Sequence, residues 1–194
     1  MKEKSRCAWS IKSNEQIYID YHDKEWGVPQ HNDTKLFEAV VLDGFQAGLS
    51  WLTILKRRET FRKAFDNFDA HKIARYNEKK IQKLLQDEGI IRNQLKVRAA
   101  VINAKAFLDV QEEFGSFDSY IWQFTDGKTL VNTHSESKTI QPKTKESDAM
   151  SKALQARGFK FVGSTICYAF MQAVGMVNDH TTDCFRYNEV LKKR

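Results

Sequence analysis

Residues 42–55 read Leu-Asp-Gly-Phe-Gln-Ala-Gly-Leu-Ser-Trp-Leu-Thr-Ile-Leu, and the reading of this stretch decides the fold. An apolar pattern of helical period begins near Leu36 and runs into it. Gly44 and Gly48 interrupt the pattern, and a second apolar run starts at Leu49. Glycine inside a helix costs about 1 kcal/mol against alanine, so this pair predicts a helix end where backbones approach closely. The polar residues left at the corner are Asp43, Gln46 and Ser50, with Trp51 just beyond. A carboxylate on one side and a large flat ring on the other suit a pocket; an ordinary interhelical turn with a core tryptophan would read the same way.

Working outward, Asp33 is the expected cap of a helix from Thr34 to Leu42, and Leu49 to Phe65 reads as the next helix. Asp69 caps a short helix to Tyr76, Asn77 another from Glu78 to Asp87, and a long helix runs from Asn93 to Phe114. Phe117 to Phe124 is one more helical stretch. Residues 125–146 are rich in Thr, Ser, Lys, Asn and Gln, which predicts a surface loop with a short strand at Thr129 to Asn132. Ser147 is the expected cap of a helix ended by Gly158. Ser164 to Ala173 is apolar enough to be a buried helix closed by Gly175, and Val190 to Arg194 should fray. Internal repeats are absent. The expected fold is all-α, residues 1–194 forming one domain that could divide into two helical lobes with a pocket between them.

Composition narrows the class. The chain has 194 residues, 41% of them hydrophobic, which suits a folded globule with a real core. Lys and Arg number 31 against 25 for Asp and Glu, a net charge of +6 that permits nucleic-acid binding. No apolar run is long enough to span a membrane, and the first residues lack the apolar segment of a secretory signal. Three cysteines, Cys7, Cys167 and Cys184, cannot all pair within one chain. A reducing, cytoplasmic setting is expected, with metal binding favoured over a disulfide.

Three constellations carry chemistry. Cys7 and His22 lie near the start and His180 and Cys184, spaced H-x-x-x-C, near the end; two thiols and two imidazoles suit a closed tetrahedral zinc shell. At i and i+4 on a helix, His180 and Cys184 would share a face. Unrelated surface histidines and a buried thiol would give the same spacing, and Cys167 reads as a small core residue. Trp9, Tyr18, Tyr21 and Trp26 flank His22, and with Trp51 they could wall a planar pocket for a stacked base or simply fill a core. Glu-Gly-Ile-Ile-Arg-Asn-Gln-Leu-Lys, residues 88–96, reads as a helix, a tight glycine-bearing hairpin and a second helix. That arrangement offers backbone N–H groups to a phosphate, helped by Arg92 and Lys96, although a plain helical hairpin has the same pattern.

The blocks C-A-W from Cys7, Y-I-D-Y-H-D-K-E-W-G-V-P from Tyr18, Q-A-G-L-S-W-L-T-I-L-K-R-R-E from Gln46, G-I-I-R from Gly89, G-F-K-F-V-G-S-T-I-C-Y-A-F-M-Q-A-V-G from Gly158 and N-D-H-x-x-x-C from Asn178 together resemble the 3-methyladenine DNA glycosylase I family. They follow the family's order over nearly the whole chain. The resemblance implies a helix-hairpin-helix glycosylase fold with zinc on Cys7, His22, His180 and Cys184 joining the two ends. It implies a pocket for flipped 3-methyladenine in which Trp51 stacks on the base and Tyr21, Trp9 and Trp26 line the walls. Gly48 and Leu49 would enter the gap left in the duplex, and Gly89, Ile90, Ile91, Arg92 and Lys96 would face phosphates. Two positions depart from the family pattern. Asp43 stands where the pocket carboxylate is a glutamate, one methylene longer, and Phe45 where a polar residue is expected.

The expected activity is therefore excision of N3-methyladenine from alkylated double-stranded DNA by a monomeric, monofunctional hydrolase of the bacterial cytosol, releasing 3-methyladenine without cutting the strand. Asp43, Tyr21 and Trp51 would serve the reaction. Two other readings remain at this point: a zinc-stapled DNA-binding protein that has lost catalysis, and an all-α interaction domain whose aromatics are only core.

Overall fold

The computed structural model describes residues 4–192. In chain order its elements are α1 (Ala8–Ile11), α2 (Gln16–Lys24), α3 (Asp33–Gln46), α4 (Trp51–Leu55), α5 (Arg58–Ala64), α6 (Ala70–Ile73), α7 (Glu78–Gln86), α8 (Gln94–Phe114), α9 (Phe117–Trp122), β1 (Leu130–Val131), α10 (Lys145–Ala156), α11 (Ser164–Ala173), β2 (Val177–Asn178) and α12 (Phe185–Leu191). The helix-rich expectation holds, with one addition: β1 and β2 pair in parallel, Leu130 with Val177 and Val131 with Asn178. No helix among the described residues is long and apolar enough to cross a membrane.

The corner that opened the sequence reading forms later than expected. Asn32, not Asp33, caps α3, its side chain accepting from the Lys35 N–H at 3.1 Å. Asp33 sits inside the first turn, and its carboxylate accepts the Phe117 and Asp118 N–H groups at 2.8 Å, docking the start of α9. The helix then runs straight through Gly44 to Gln46. A Cβ on Gly44 would lie 3.4 Å from Phe161 Cβ, so this glycine serves close packing and does not break the helix. Gly48, at φ +78°, makes the turn.

The helix expected over Leu49 to Phe65 is two, α4 and α5, parted at Lys56 and Arg57. Burial explains the break: Leu55 packs with Cys7, Tyr21, Trp26 and Cys184, whereas Phe61 and Phe65 enter a larger core with Phe45. Phe45, expected near the pocket, is fully in that core, ring to ring with Phe61 at 4.8 Å.

Elsewhere the caps are mostly where the sequence puts them. Asp69, Asn77 and Asn93 each accept an N–H from the third residue on, opening α6, α7 and α8. α6 ends at Ile73, short of Tyr76, and α9 at Trp122, with a tight 3₁₀ turn to Thr125. α10 is capped by Thr144; Ser147 is the reciprocal partner of a capping box, its hydroxyl accepting from the Thr144 N–H at 2.9 Å. At the end of the chain, Val190 is buried within α12, so fraying does not begin there; residues 193–194 lie outside the described residues.

Two hydrophobic clusters result. The larger is centred on α3, α8 and α11; the smaller gathers Cys7, Tyr21, Trp26, Leu55 and Cys184, and Trp51 touches both. Gly175 lets the chain after α11 pass against residues 28 and 29. It has φ +74°, and a Cβ there would lie 2.4 Å from the Val28 carbonyl carbon and the Pro29 nitrogen. Gly175→Ala should therefore lose about 2–4 kcal/mol of stability, from left-handed strain and backbone overlap together. A urea titration against wild type measures it, and a loss under about 0.5 kcal/mol would contradict the contact.

Candidate active site and metal-binding cluster

The two ends of the chain meet in a buried knot. Cys7 caps α1, His22 lies in the last turn of α2, His180 follows β2 and Cys184 precedes α12. Their four donor atoms lie within 4.8 Å of one another, and all four residues are buried. His180 Nδ1 is 3.6 Å from both sulfurs, and His22 Nε2 is 3.5 Å from Cys184 Sγ. The outer imidazole nitrogens are held as well, His22 Nδ1 at 2.8 Å from Asp23 and His180 Nε2 at 3.1 Å from the Trp26 carbonyl. Such outer bonds turn the inner nitrogens toward an ion. His180 and Cys184 do not share a helix face, contrary to the spacing argument. They are joined by a turn in which the Cys184 N–H donates to Thr181 O at 2.8 Å.

Two touching thiols cannot both ionise unaided. Their shared hydrogen bond and burial push Cys7 up, and the same bond pulls Cys184 down. A divalent cation between them would let both be thiolates. The donor set therefore fits a metal ion, closed to outside ligands.

This knot is the floor of an aromatic cleft. Trp9 and Trp26 meet edge to face at 4.9 Å, Trp9 packs on the His22 ring at 5.4 Å and Trp26 on His180 at 4.7 Å. Above them a cavity of about 290 Å³ is lined by Trp9, Tyr18, Tyr21, Trp26, Asp43 and Trp51, with Gln46, Ser137, Ile140 and α11 residues closing it. Tyr21 and Trp51 lie 5.4 Å apart, tilted by 50°. Thus the structure brings the pocket residues expected from sequence, Trp9, Tyr21, Trp26, Asp43 and Trp51, around one space.

Several polar atoms in this cleft are buried without a hydrogen-bond partner: Asp43 Oδ2, Trp51 Nε1 and Ser137 Oγ. An unpartnered buried polar atom costs roughly 1–3 kcal/mol, so three in one cavity mark a place prepared for a ligand. Asp43 is 2% exposed, and burial pushes its carboxyl up to about 8. A second cavity of about 250 Å³ also reaches Asp43, Tyr21 and Trp51, walled by the ion pairs Glu25–Arg58 and Glu38–Arg62.

The corner and the hairpin lie close by. Gly48 and Leu49 stand between the cleft residues Gln46 and Trp51, and Leu49 is 41% exposed. Residues 87–93 join α7 to α8. Gly89 packs against Thr60, which donates to its carbonyl at 2.6 Å, and its own N–H donates to Asp87 at 2.8 Å. Ile90 is buried, while Arg92 is exposed beside Glu88. Lys96 departs from expectation: it is 7% exposed, and its ammonium donates to the carbonyls of Phe45 and Ala47 at 2.8 and 2.5 Å. Two of its three donors are thus spent on backbone at the end of α3.

Sequence reasoning placed Tyr18 among the aromatics of the pocket but missed Ser137, Ile140 and Gln172. Tyr18 had a signal, since it lies three and four residues before Tyr21 and His22 on one helix face. Ser137 and Ile140 had none. Their loop is brought over the cleft by Asn132 and His134, both bonded to Asp179, and by the Thr182 N–H on His134 O at 2.9 Å.

Comparison with known proteins agrees with this geometry. Residues 9–187 match the family model described as methyladenine glycosylase. The chain is 48% identical over 180 residues to the DNA-3-methyladenine glycosylase of Haemophilus influenzae, covering 93% of this chain and 96% of that protein. A crystal structure of a 3-methyladenine DNA glycosylase I aligns with a TM-score of 0.90 at 49% identity, covering 93% of this chain and 98% of that one. The Staphylococcus aureus 3-methyladenine DNA glycosylase I, in a structure solved for the basis of 3-methyladenine recognition, aligns at TM-score 0.89 and 32% identity, over 93% and 95% of the two chains.

Asp43 makes the site's cost measurable. Its carboxyl holds a proton to about pH 8 in the folded chain, whereas in the unfolded chain it ionises near pH 4. Between those values the folded state retains a proton that the unfolded state gives up, so stability falls as pH rises, and the full cost is present above pH 8. Asp43→Asn removes this dependence. Its stability advantage over wild type should grow from pH 5 to pH 8, on the order of 1 kcal/mol per pH unit. Denaturant titrations at several pH values test this; an advantage that does not change with pH would mean that Asp43 titrates normally.

Proposed function

The chain belongs to the methyladenine glycosylase family, and from that premise we infer a DNA repair enzyme that hydrolyses the N-glycosyl bond of 3-methyladenine in alkylated double-stranded DNA. The observation that carries the reading is the aromatic cleft with the unpartnered Asp43 Oδ2 and Trp51 Nε1 inside it. A flat, electron-poor base can stack on Trp51 against Tyr21, and an exocyclic amine can meet the carboxylate.

The chemistry asks little acid catalysis of the protein. A purine methylated at N3 is already cationic while it is attached to the sugar. Water bonds to C1′, the bond from C1′ to the base nitrogen breaks, its electron pair neutralises the base, and one proton is released. The cleft's task is to hold the extruded base and favour its charge. Asp43 does this as a carboxylate; neutral adenine gains nothing from that charge and is left behind. The shorter reach of aspartate keeps a carboxyl in the cleft, which supports catalysis over a merely DNA-binding role. The proposed enzyme is a monofunctional hydrolase that forms no Schiff base and leaves the strand uncut.

Leu49 is the proposed wedge, exposed beside the cleft mouth, with Gly48 supplying the left-handed turn that presents it. Helix-hairpin-helix residues Gly89, Ile90, Ile91 and Arg92 are the proposed phosphate contact, in a protein of charge +6. The knot of Cys7, His22, His180 and Cys184 is the proposed structural zinc site. Its two sulfurs and two imidazole nitrogens gather within 4.8 Å of one another, a donor set that would hold a zinc ion. Zinc there would neutralise both thiolates and support the cleft floor. The proposed setting is the reducing bacterial cytosol, which suits three free thiols, and the protein is proposed to act there as a monomeric single domain.

Chromatography of bases released from methylated duplex DNA should detect 3-methyladenine, and kcat/KM should rise with pH toward an inflection near 8 as free Asp43 ionises. Asp43→Asn should lower kcat/KM at pH 8 by at least about tenfold and flatten the profile. No released base would sink the reading; unchanged activity in the variant would remove Asp43 from it. Protein purified without chelator should carry about one zinc per chain, and Cys184→Ser should lower the melting temperature by about 10 °C or more, because structural zinc contributes folding energy directly. A metal-free protein of undiminished stability would exclude the zinc assignment.

A further inference from the structure

We propose that Lys96 is a positioning residue that ties the hairpin to the Leu49 wedge, so that engagement of the DNA backbone and filling of the gap occur as one rigid unit. This rests on the wedge reading given above. Four terminal carbonyls of any helix lack intrahelical partners, and in α3 they fall at the corner that carries the wedge. The Ala47 N–H reaches Gly44 O at 3.4 Å, and the Leu49 N–H reaches Gln46 O at 2.6 Å. The Lys96 ammonium takes Phe45 O and, one step past the helix, Ala47 O. Every carbonyl from residue 44 to residue 47 is thereby satisfied, and the turn at Gly48 is pinned from both sides.

The same residue is part of the hairpin. Lys96 lies in the first turn of α8, and its backbone N–H donates to the capping side chain of Asn93 at 3.1 Å. Its main chain thus belongs to the segment offered to phosphate, and its side chain to the segment offered to the base gap. A cation at the C-terminus of α3 also meets the negative end of that helix. Ordinary packing would fill this spot with an apolar side chain at less desolvation cost, since burial alone lowers the lysine's readiness to carry charge. What the charge adds is a fixed distance between two DNA-facing loops.

The test compares Lys96→Met with wild type and Leu49→Ala. Expected for Lys96→Met is binding to undamaged duplex within about twofold of wild type and with the same salt slope, because no phosphate contact is removed. Binding of free 3-methyladenine, followed by tryptophan fluorescence, should be unchanged. Single-turnover excision at saturating enzyme should slow on the order of 10-fold to 100-fold, as loss of placement does. Adding Lys96→Met to Leu49→Ala should cost little more, since both act through the wedge.

A salt slope reduced by about one, with excision restored at saturating enzyme, would show Lys96 to be a phosphate contact and overturn the proposal. Loss of free-base binding would overturn it by showing a general collapse of the pocket. A slow Leu49→Ala beside a normal Lys96→Met would defeat the tie while leaving the wedge. A Leu49→Ala enzyme that excises normally would defeat the wedge reading and this inference with it. If Lys96→Met does not fold, Lys96→Gln, which keeps one amide donor, is read by the same measurements.

Discussion

Four buried side chains from opposite ends of the chain hold their donor atoms within 4.8 Å of one another, and the aromatic cleft is built on their backs. Cys7 and His22 arrive with α1 and α2, His180 and Cys184 with the turn before α12. Once they meet, the imidazole faces become surfaces on which Trp9 and Trp26 pack. The Trp26 carbonyl also orients His180, so indole and ligand fix each other. Thiols and imidazoles packed this closely are poorly solvated and mutually repulsive when charged, and they form a stable cluster only with a cation or a retained proton among them. The cleft floor therefore inherits its rigidity from the knot and not from a deep apolar core.

Rigidity there permits what the cleft holds. Asp43, Trp51 and Ser137 each keep a polar atom away from water and without a protein partner. In an ordinary core such atoms would be eliminated, since each costs more than a typical net hydrogen bond returns. Their survival together in one aromatic space is an exchange of stability for recognition, the pattern expected where a protein is complementary to a ligand and not to itself. The carboxyl of Asp43 embodies it: desolvation holds the proton on, and the proposed cationic base would reverse the balance.

Other buried polar groups are well partnered, which sharpens the contrast. Asp179 receives Asn132, His134, Tyr168 and Gln172, and so joins the roof loop to α11 and to the ligand turn. Lys96 gives its donors to the end of α3. These groups brace; those of the cleft wait.

Much of this was legible in the chain itself. Asn77 and Asp69 were readable as caps, because capping is a contact between a side chain and the backbone three residues on. The buried α11, the long α8 and the family blocks were equally plain. The four metal-ligand candidates and the aromatic residues could be named from residue type and resemblance, including the unusual Asp43. Tertiary structure decided what local pattern could not. Gly44 is consistent with a helix end in sequence, but the helix passes through it, with Phe161 packed close against it. Leu49 to Phe65 has a continuous helical period, yet it breaks at Lys56 and Arg57, between Leu55 in the smaller cluster and Phe61 in the larger. Lys96 reads as a phosphate ligand until the end of α3, some fifty residues earlier, is laid against it. Ser137 carries no signal in its own neighbourhood, and it reaches the cleft through the bonds of its loop to Asp179 and Thr182. Sequence determines interactions that span a turn or two of backbone; where a residue's partner is distant in the chain, only the packed fold supplies the partner, and the partner sets the role.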